Sequence, residues 1–233
     1  MSIKEKNFTN WSQNQLDSTI TGKTLNNDCL NSLSELCSNS EWVREMAVQL
    51  YHVVLGFPFH IAGAIATSRD EKLLSILVNN LYSEIGENVG KDHISIYREF
   101  LYYLQLDCSR PEPNRLWKET IELEQSCKDN YSNHDMGVKL GALFAFESMS
   151  SRMVEKWHNA LTVNGYPNNA FRFFTIHIDI EKEHAADILD VCAHYYKKPN
   201  FLDMYECGLS DVNSKLVNFW EKAYHYREEC NCY

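Results

Sequence analysis

The chain has 233 residues, 44% of them hydrophobic and 23% charged, with a formal net charge of -10 at pH 7. That composition fits a single domain over residues 1–233, with 1–26 as a polar N-terminal arm and 229–233 as a C-terminal tail. It excludes nucleic acid as the main partner, since neutralising phosphate takes clustered Lys and Arg.

No stretch approaches the roughly 20 apolar residues of a membrane span. The opening MSIKEKNFTNWSQNQ lacks the apolar region of a secretory signal, so a cytoplasmic protein is expected. Gly (9) and Pro (5) are few, so turn punctuation is sparse and 3.6-residue periodicity dominates. Residues 7–21 read as an arm or a short helix. Residues 27–38 form a helix with Leu30, Leu33 and Leu36 inward. Ser40 is the expected N-cap of a long helix carrying Val43, Met46, Ala47, Leu50, Tyr51 and Val54 at spacings of three and four. Gly56-Phe57-Pro58 should bend or break it, and a helix resumes over 59–67.

A further helix covers 70–83, with Leu73, Leu74, Leu77, Val78 and Leu81 on one side. Gly86 and Gly90 interrupt an otherwise helical segment, and 93–106 follows as a helix. Ser109-Arg110-Pro111-Glu112-Pro113 is a loop, because each Pro disfavours helix at the residue before it. Residues 116–128 form a short acidic helix. Asn133 or Asp135 caps a long run to about residue 161, which ends at Asn164-Gly165-Tyr166-Pro167. Residues 170–196 form the next long helix, closed by Pro199, and 210–228 the last. The sum is an all-α bundle of about seven to eight helices with short loops.

Eight cysteines are scattered without a CxxC pair. In a cytoplasmic chain of this size most are small buried residues or free thiols. Cys230 and Cys232 share a C-x-C at the end of the chain, where a frayed tail is expected rather than a metal site.

The chemistry concentrates in three segments. In FFTIHIDIEKEHAADILDV, His177, Glu181 and His184 stand at i, i+4 and i+7, on one face of a helix. Two imidazoles and a carboxylate on one stripe suit Fe(II) or Mn(II). Asp179, Lys182, Glu183 and Asp187 surround them, so a solvated face is the competing reading. Glu147 interrupts the apolar run from Leu140 to Met149. A carboxylate there pays a desolvation penalty unless paired or bound to a cation, and Arg152 or Lys156 are the alternative partners. In LVNNLYSEIGENVGKDHISIYREFL, Glu84 and His93 are candidates, with Glu87 as the rival ligand. In an unbroken helix a spacing of nine turns through about 180° and places them on opposite faces. Gly86 and Gly90 allow a loop that swings His93 back. Together these segments supply six N/O ligands from at least three helical segments, as bundle-type di-iron sites require.

With Phe57-Pro58, the Asn80-Leu81-x-x-Glu84 ending, Glu147 and His177-x-x-x-Glu181-x-x-His184, residues 42–195 resemble the heme-oxygenase-like di-iron oxidases. This group includes CADD-like proteins and is more distantly similar to PqqC and thiaminase-II-like proteins. The resemblance implies a heme-oxygenase-like bundle whose ligands are Glu84, His93, Glu147, His177, Glu181 and His184. Here Glu181 replaces a common Asp, and the Glu84–His93 spacing is two residues longer than the common seven. The resemblance further implies two Fe(II) ions per chain, O2 as co-substrate, an external reductant as one option, and a homodimer.

Activities implied by the resemblance are N-oxygenation, oxidative fragmentation of fatty acids or amino acids to alkenes, and nitrile formation from a tryptophan-derived amino acid. The expected substrate is a small amino acid, tryptophan-like among the options, with a fatty acid as the alternative. An aromatic pocket is expected from Tyr51, Phe57, Phe100, Tyr103, Phe144 and Phe174, with Phe59, Phe146 and Phe173 also available. Two other classes compete. One is a thiaminase-II-like hydrolase, which needs a nucleophilic Cys, with Cys192 and Cys108 as the available thiols. The other is a CADD-like interaction protein, which needs none of the Glu and His residues.

Overall fold

Helix-forming periodicity with local caps decides most of the architecture. In the computed structural model, which describes residues 3–86, 90–107 and 115–230, ten helices and no strand occur among the described residues. They are α1 (Ile3–Thr21), α2 (Asp28–Asn31), α3 (Leu33–Leu36), α4 (Ser40–Thr67), α5 (Glu71–Glu84), α6 (His93–Tyr103), α7 (Lys118–Tyr131), α8 (Met136–Val163), α9 (Arg172–Tyr195) and α10 (Phe201–Cys230). The expected helix over 27–38 divides at Ser32 into two single turns.

Several boundaries differ from the sequence reading. Asn39, not Ser40, caps α4, its side chain accepting from the Glu41 and Trp42 N–H groups. α4 is not broken at Pro58 and runs through to Thr67. Proline removes the N–H that would bond the Val54 carbonyl. Burial of Trp42, Val43 and Met46 before it and of Ile61 and Ala64 after it holds both halves in one helix. α4 is also long and apolar enough to cross a membrane by length and composition, contrary to the expectation above. It packs against α5, α6, α7 and α10 as a core helix of the bundle. The last helix begins at Phe201 rather than 210. Cys230 is a buried residue at its end rather than part of a frayed tail. The loop 109–113 lies outside the described residues.

The polar arm is a helix that packs on α8. Trp11 meets Tyr205 edge-on, with ring centroids 5.1 Å apart, and Phe8 meets Tyr196 at 5.4 Å.

α8 is the axis of the fold and lies against both α9 and α10. Its crossing with α10 is close because a glycine on each helix faces the backbone of the other. A Cβ on Gly141 would stand 1.9 Å from the Tyr205 carbonyl oxygen, and one on Gly208 would stand 2.0 Å from that of Val138. An aromatic ladder crosses the other side of the core. Trp42 of α4 stacks on Trp157 of α8, which stacks on Phe174 of α9, each step 5.6 Å between centroids. The Trp42 indole N–H donates to the Ala223 carbonyl of α10 at 2.9 Å. Burial of rings this size contributes roughly 1.5–3 kcal/mol each. α5 is tied to the end of α9 by the Tyr195 hydroxyl donating to Asp70 at 2.7 Å, and by a Lys72–Asp190 ion pair. These ties hold α5 against α9, two of the four helices that carry the candidate ligands.

Candidate metal centre

The buried face of α5 passes through Leu73, Leu77 and Asn80 and ends on Glu84, the last residue of the helix. Glu84 is therefore buried by helical phase, four residues beyond Asn80. The chain then turns. Ile85 caps α5, and Gly86 takes φ +105, a conformation that favours glycine. A Cβ at Gly86 would lie 2.4 Å from the backbone of Lys91, so only glycine lets the returning chain pass this close. Asp92 caps α6 through the Ser95 N–H, and His93 is its first residue. The break converts a spacing of nine from opposite faces into contact. His93 Nδ1 lies 3.0 Å from Glu84 Oε2.

His177 joins this pair from α9. Its ring centroid is 4.5 Å from that of His93 and 4.0 Å from that of Phe173. Its Nδ1 lies 2.7 Å from the Phe173 carbonyl. A carbonyl only accepts, so Nδ1 carries the proton and Nε2 keeps its lone pair. Ligand atoms of Glu84, His93 and His177 all lie within 4.8 Å of one another, and all three residues are buried.

One turn of α8 supplies the next carboxylate. Glu147 is 1% exposed, and its Oε2 lies 3.3 Å from His184 Nδ1. The alternative partners Arg152 and Lys156 lie elsewhere: Arg152 is exposed, and Lys156 donates to Asn31 at 3.0 Å. Glu181 lies on α9 between His177 and His184, and its side chain is outside the described residues. Glu87, the rival for Glu84, also lies outside them. The structure thus assembles Glu84, His93 and His177 in one cluster, and Glu147 with His184 in another.

The residues present fit a cation. His93 is fully buried, and neither ring nitrogen has a hydrogen bond among the described residues. The Glu84 oxygen is near Nδ1 but off the direction a hydrogen bond needs. A buried imidazole with no hydrogen bond is costly unless something else occupies its lone pair. Imidazole and carboxylate donors together suit Fe(II) or Mn(II).

A cavity of about 100 Å³ adjoins Glu84 and His177. α4 contributes Leu50, Val53, Val54 and Phe57, α6 contributes Tyr97, and α9 contributes Phe173 and Phe174. α8 adds Phe146, Ser150, Met153, Val154 and Trp157, and α10 adds Trp220. Of the six aromatic residues expected here, Phe57 and Phe174 line it and four do not. Tyr51 accepts a hydrogen bond from Arg98 Nε at 2.8 Å. Phe100 is core packing against Tyr97 and Phe174, and Phe144 lies beside Tyr205. Tyr103 is exposed beside Tyr166, and Phe59 is 71% exposed. Helix phase is the reason: residues 50, 53, 54 and 57 share a face of α4, and 51 and 59 are rotated off it. The aliphatic lining was missed because such a stripe reads as ordinary core. Trp220 was missed because nothing local connects α10 to the site.

Cys192 is fully buried and does not line the cavity, and burial pushes its thiol pKa up. Cys108 lies outside the described residues.

Comparison with known proteins bears on the fold and the family. The fold matches a CADD-like protein of unknown function from Nostoc punctiforme, with TM-score 0.77, 15% identity, and 95% of this chain and 98% of that one covered. It matches a TenA homologue from Pseudomonas syringae pv. tomato at TM-score 0.74 and 11% identity, covering 92% and 93%. It also matches a domain of unknown function with a heme-oxygenase-like fold from Shewanella denitrificans at TM-score 0.70 and 14% identity, covering 98% and 95%. The architecture is therefore heme-oxygenase-like. In sequence the chain is 26% identical over 192 residues to a 4-chloro-allylglycine synthase of Streptantibioticus cattleyicolor, covering 82% of this chain and 74% of the relative. The model of the iron-containing redox enzyme family matches residues 44–203, a span that holds all six candidate ligands, and the chain belongs to that family.

Proposed function

We propose that the protein is a non-haem di-iron enzyme that uses O2 to oxidise a small amino acid. The observation that carries this reading is His93, fully buried, without a hydrogen bond on either ring nitrogen among the described residues, and clustered with Glu84 and His177. Glu84, His93 and His177 would hold one ion. Glu147 and His184, with Glu181, would hold the other. Helix geometry supports two positions, since His177 and His184 are about 10 Å apart along the axis of α9, with Glu181 between them on the same face. When bound, two iron ions supply the reduction of O2 and the oxidising equivalents.

The chain's own residues set the conditions for that chemistry. The Phe173 carbonyl fixes the tautomer and orientation of His177. The apolar wall from α4, α8 and α9 keeps water from the reacting centre. Glu147 and His184 hold each other in place, with Oε2 3.3 Å from Nδ1. The amino-acid class is supported by the relative from Streptantibioticus cattleyicolor, whose name is that of an amino-acid synthase. A thiaminase-like hydrolysis lacks support, because no cysteine lines the cavity among the described residues. Natural-product biosynthesis is the setting this reading implies.

The test is iron per chain after anaerobic Fe(II) loading and desalting. The wild type should approach two. His177→Ala and Glu147→Ala should lose iron and keep helical circular dichroism. Full iron binding in both variants would overturn the assignment.

A further inference from the structure

We infer that the cavity beside Glu84 and His177 selects an amino acid with a compact, uncharged side chain of about four non-hydrogen atoms, a size scaled from a benzene-binding cavity of about 150 Å³. The inference rests on the proposed function, in which the charged head of the substrate lies at the Glu84 and His177 end.

Size is the first argument. The cavity is about 100 Å³. Pockets for drug-sized ligands run from about 300 to 1,000 Å³. A cavity of about 150 Å³ lined by Leu, Ile and Phe takes up benzene. Two-thirds of that volume takes a branched or short linear chain. Indole and a long fatty chain exceed it.

Charge is the second. Beyond Glu84 and His177, no charged side chain lines the cavity among the described residues. Its hydroxyl groups are already committed. The Tyr97 hydroxyl donates to the Ala47 carbonyl at 3.1 Å, and the Ser150 hydroxyl donates to the Phe146 carbonyl at 2.9 Å. An ammonium or a second carboxylate on the substrate chain would be desolvated without a counter-charge. The wall tolerates a weak acceptor, because the indole N–H groups of Trp157 and Trp220 are buried with no acceptor among the described residues. A thioether sulfur fits that description.

The experiment is anaerobic calorimetric titration of the Fe(II)-loaded protein, with iron content measured on the same sample. The panel is norvaline, leucine and methionine against lysine, glutamate and tryptophan. The first three should bind at least about 100-fold more tightly than lysine and glutamate, since an unpaired buried charge costs several kcal/mol, and more tightly than tryptophan, whose indole exceeds the cavity. Equal or tighter binding of lysine, glutamate or tryptophan overturns the inference, and so does no binding by any of the six. Phe146→Ala should raise tryptophan affinity at least about tenfold by enlarging the cavity, and Val54→Phe should lower norvaline affinity about tenfold by filling it. Both should leave iron content unchanged, and absence of both shifts overturns the inference. Iron content near zero in the wild type would sink the di-iron reading separately. The same panel read by thermal shift on the metal-free protein then decides the cavity's preference, with loss of the ranking overturning it.

Discussion

Replacing Glu84 by Gln removes one buried carboxylate from the candidate site while keeping its shape. In metal-free protein little should change, because Gln can make the contact that Glu84 Oε2 makes at 3.0 Å. The effect should appear only with iron. A ligand held by the folded state alone stabilises it by RT ln(1 + [L]/Kd), about 2.7 kcal/mol at a free concentration of 100 Kd. For a chain of this length, each kcal/mol moves Tm by about 2–4 °C, so iron should raise the wild-type Tm by about 5–11 °C. If loss of one carboxylate ligand weakens iron about 100-fold, the variant at the same iron concentration sits near its own Kd and gains only about 0.4 kcal/mol, or about 1 °C. The assay is anaerobic thermal unfolding followed by circular dichroism at a series of Fe(II) concentrations. Glu71→Gln, on the exposed start of the same helix, should keep the full shift. An iron-dependent shift in Glu84→Gln equal to that of the wild type would refute the placement of Glu84 at the metal.

Two further predictions concern the scaffold. Gly141→Ala places a methyl 1.9 Å from the Tyr205 carbonyl oxygen, so α8 and α10 must separate; urea unfolding should show a loss of at least about 1–3 kcal/mol, and an unchanged midpoint would show that the crossing is loose. Asp70 is half-buried, which by itself raises its pKa, but hydrogen bonds from the Leu73 N–H and the Tyr195 hydroxyl outweigh this and hold it below the usual value. Its stabilising contribution is therefore present at neutral pH and is lost as pH falls below the unfolded-state value of about 4. Asp70→Ala should cost about 1 kcal/mol at pH 7 as a lost N-cap and less at pH 2, measured by urea unfolding at both. A cost that does not shrink at low pH would refute the role of the ionised carboxylate.

Much of this protein is legible along the chain. Periodicity gave the helices of the bundle, because a 3.6-residue repeat of apolar residues depends only on neighbours within a turn or two. The same logic found His177, Glu181 and His184 on one face, and it marked Glu147 as a carboxylate too deep in an apolar run to be idle. Local reasoning allowed a break at Pro58 that does not occur, since packing on both sides of α4 overrides the one hydrogen bond that proline removes.

The Glu84–His93 contact shows the division most clearly. The sequence by itself determined that Gly86 and Gly90 could interrupt the helix, because glycine alone adopts positive φ without penalty. Only the tertiary structure decided that the chain turns back on Lys91 and sets His93 against Glu84 and His177. Likewise, each helix declared its apolar face, but which apolar residues line a cavity and which fill the core depended on how six helices meet around it. A side chain's phase is a property of its own helix, whereas an enclosed space belongs to the packing of all of them.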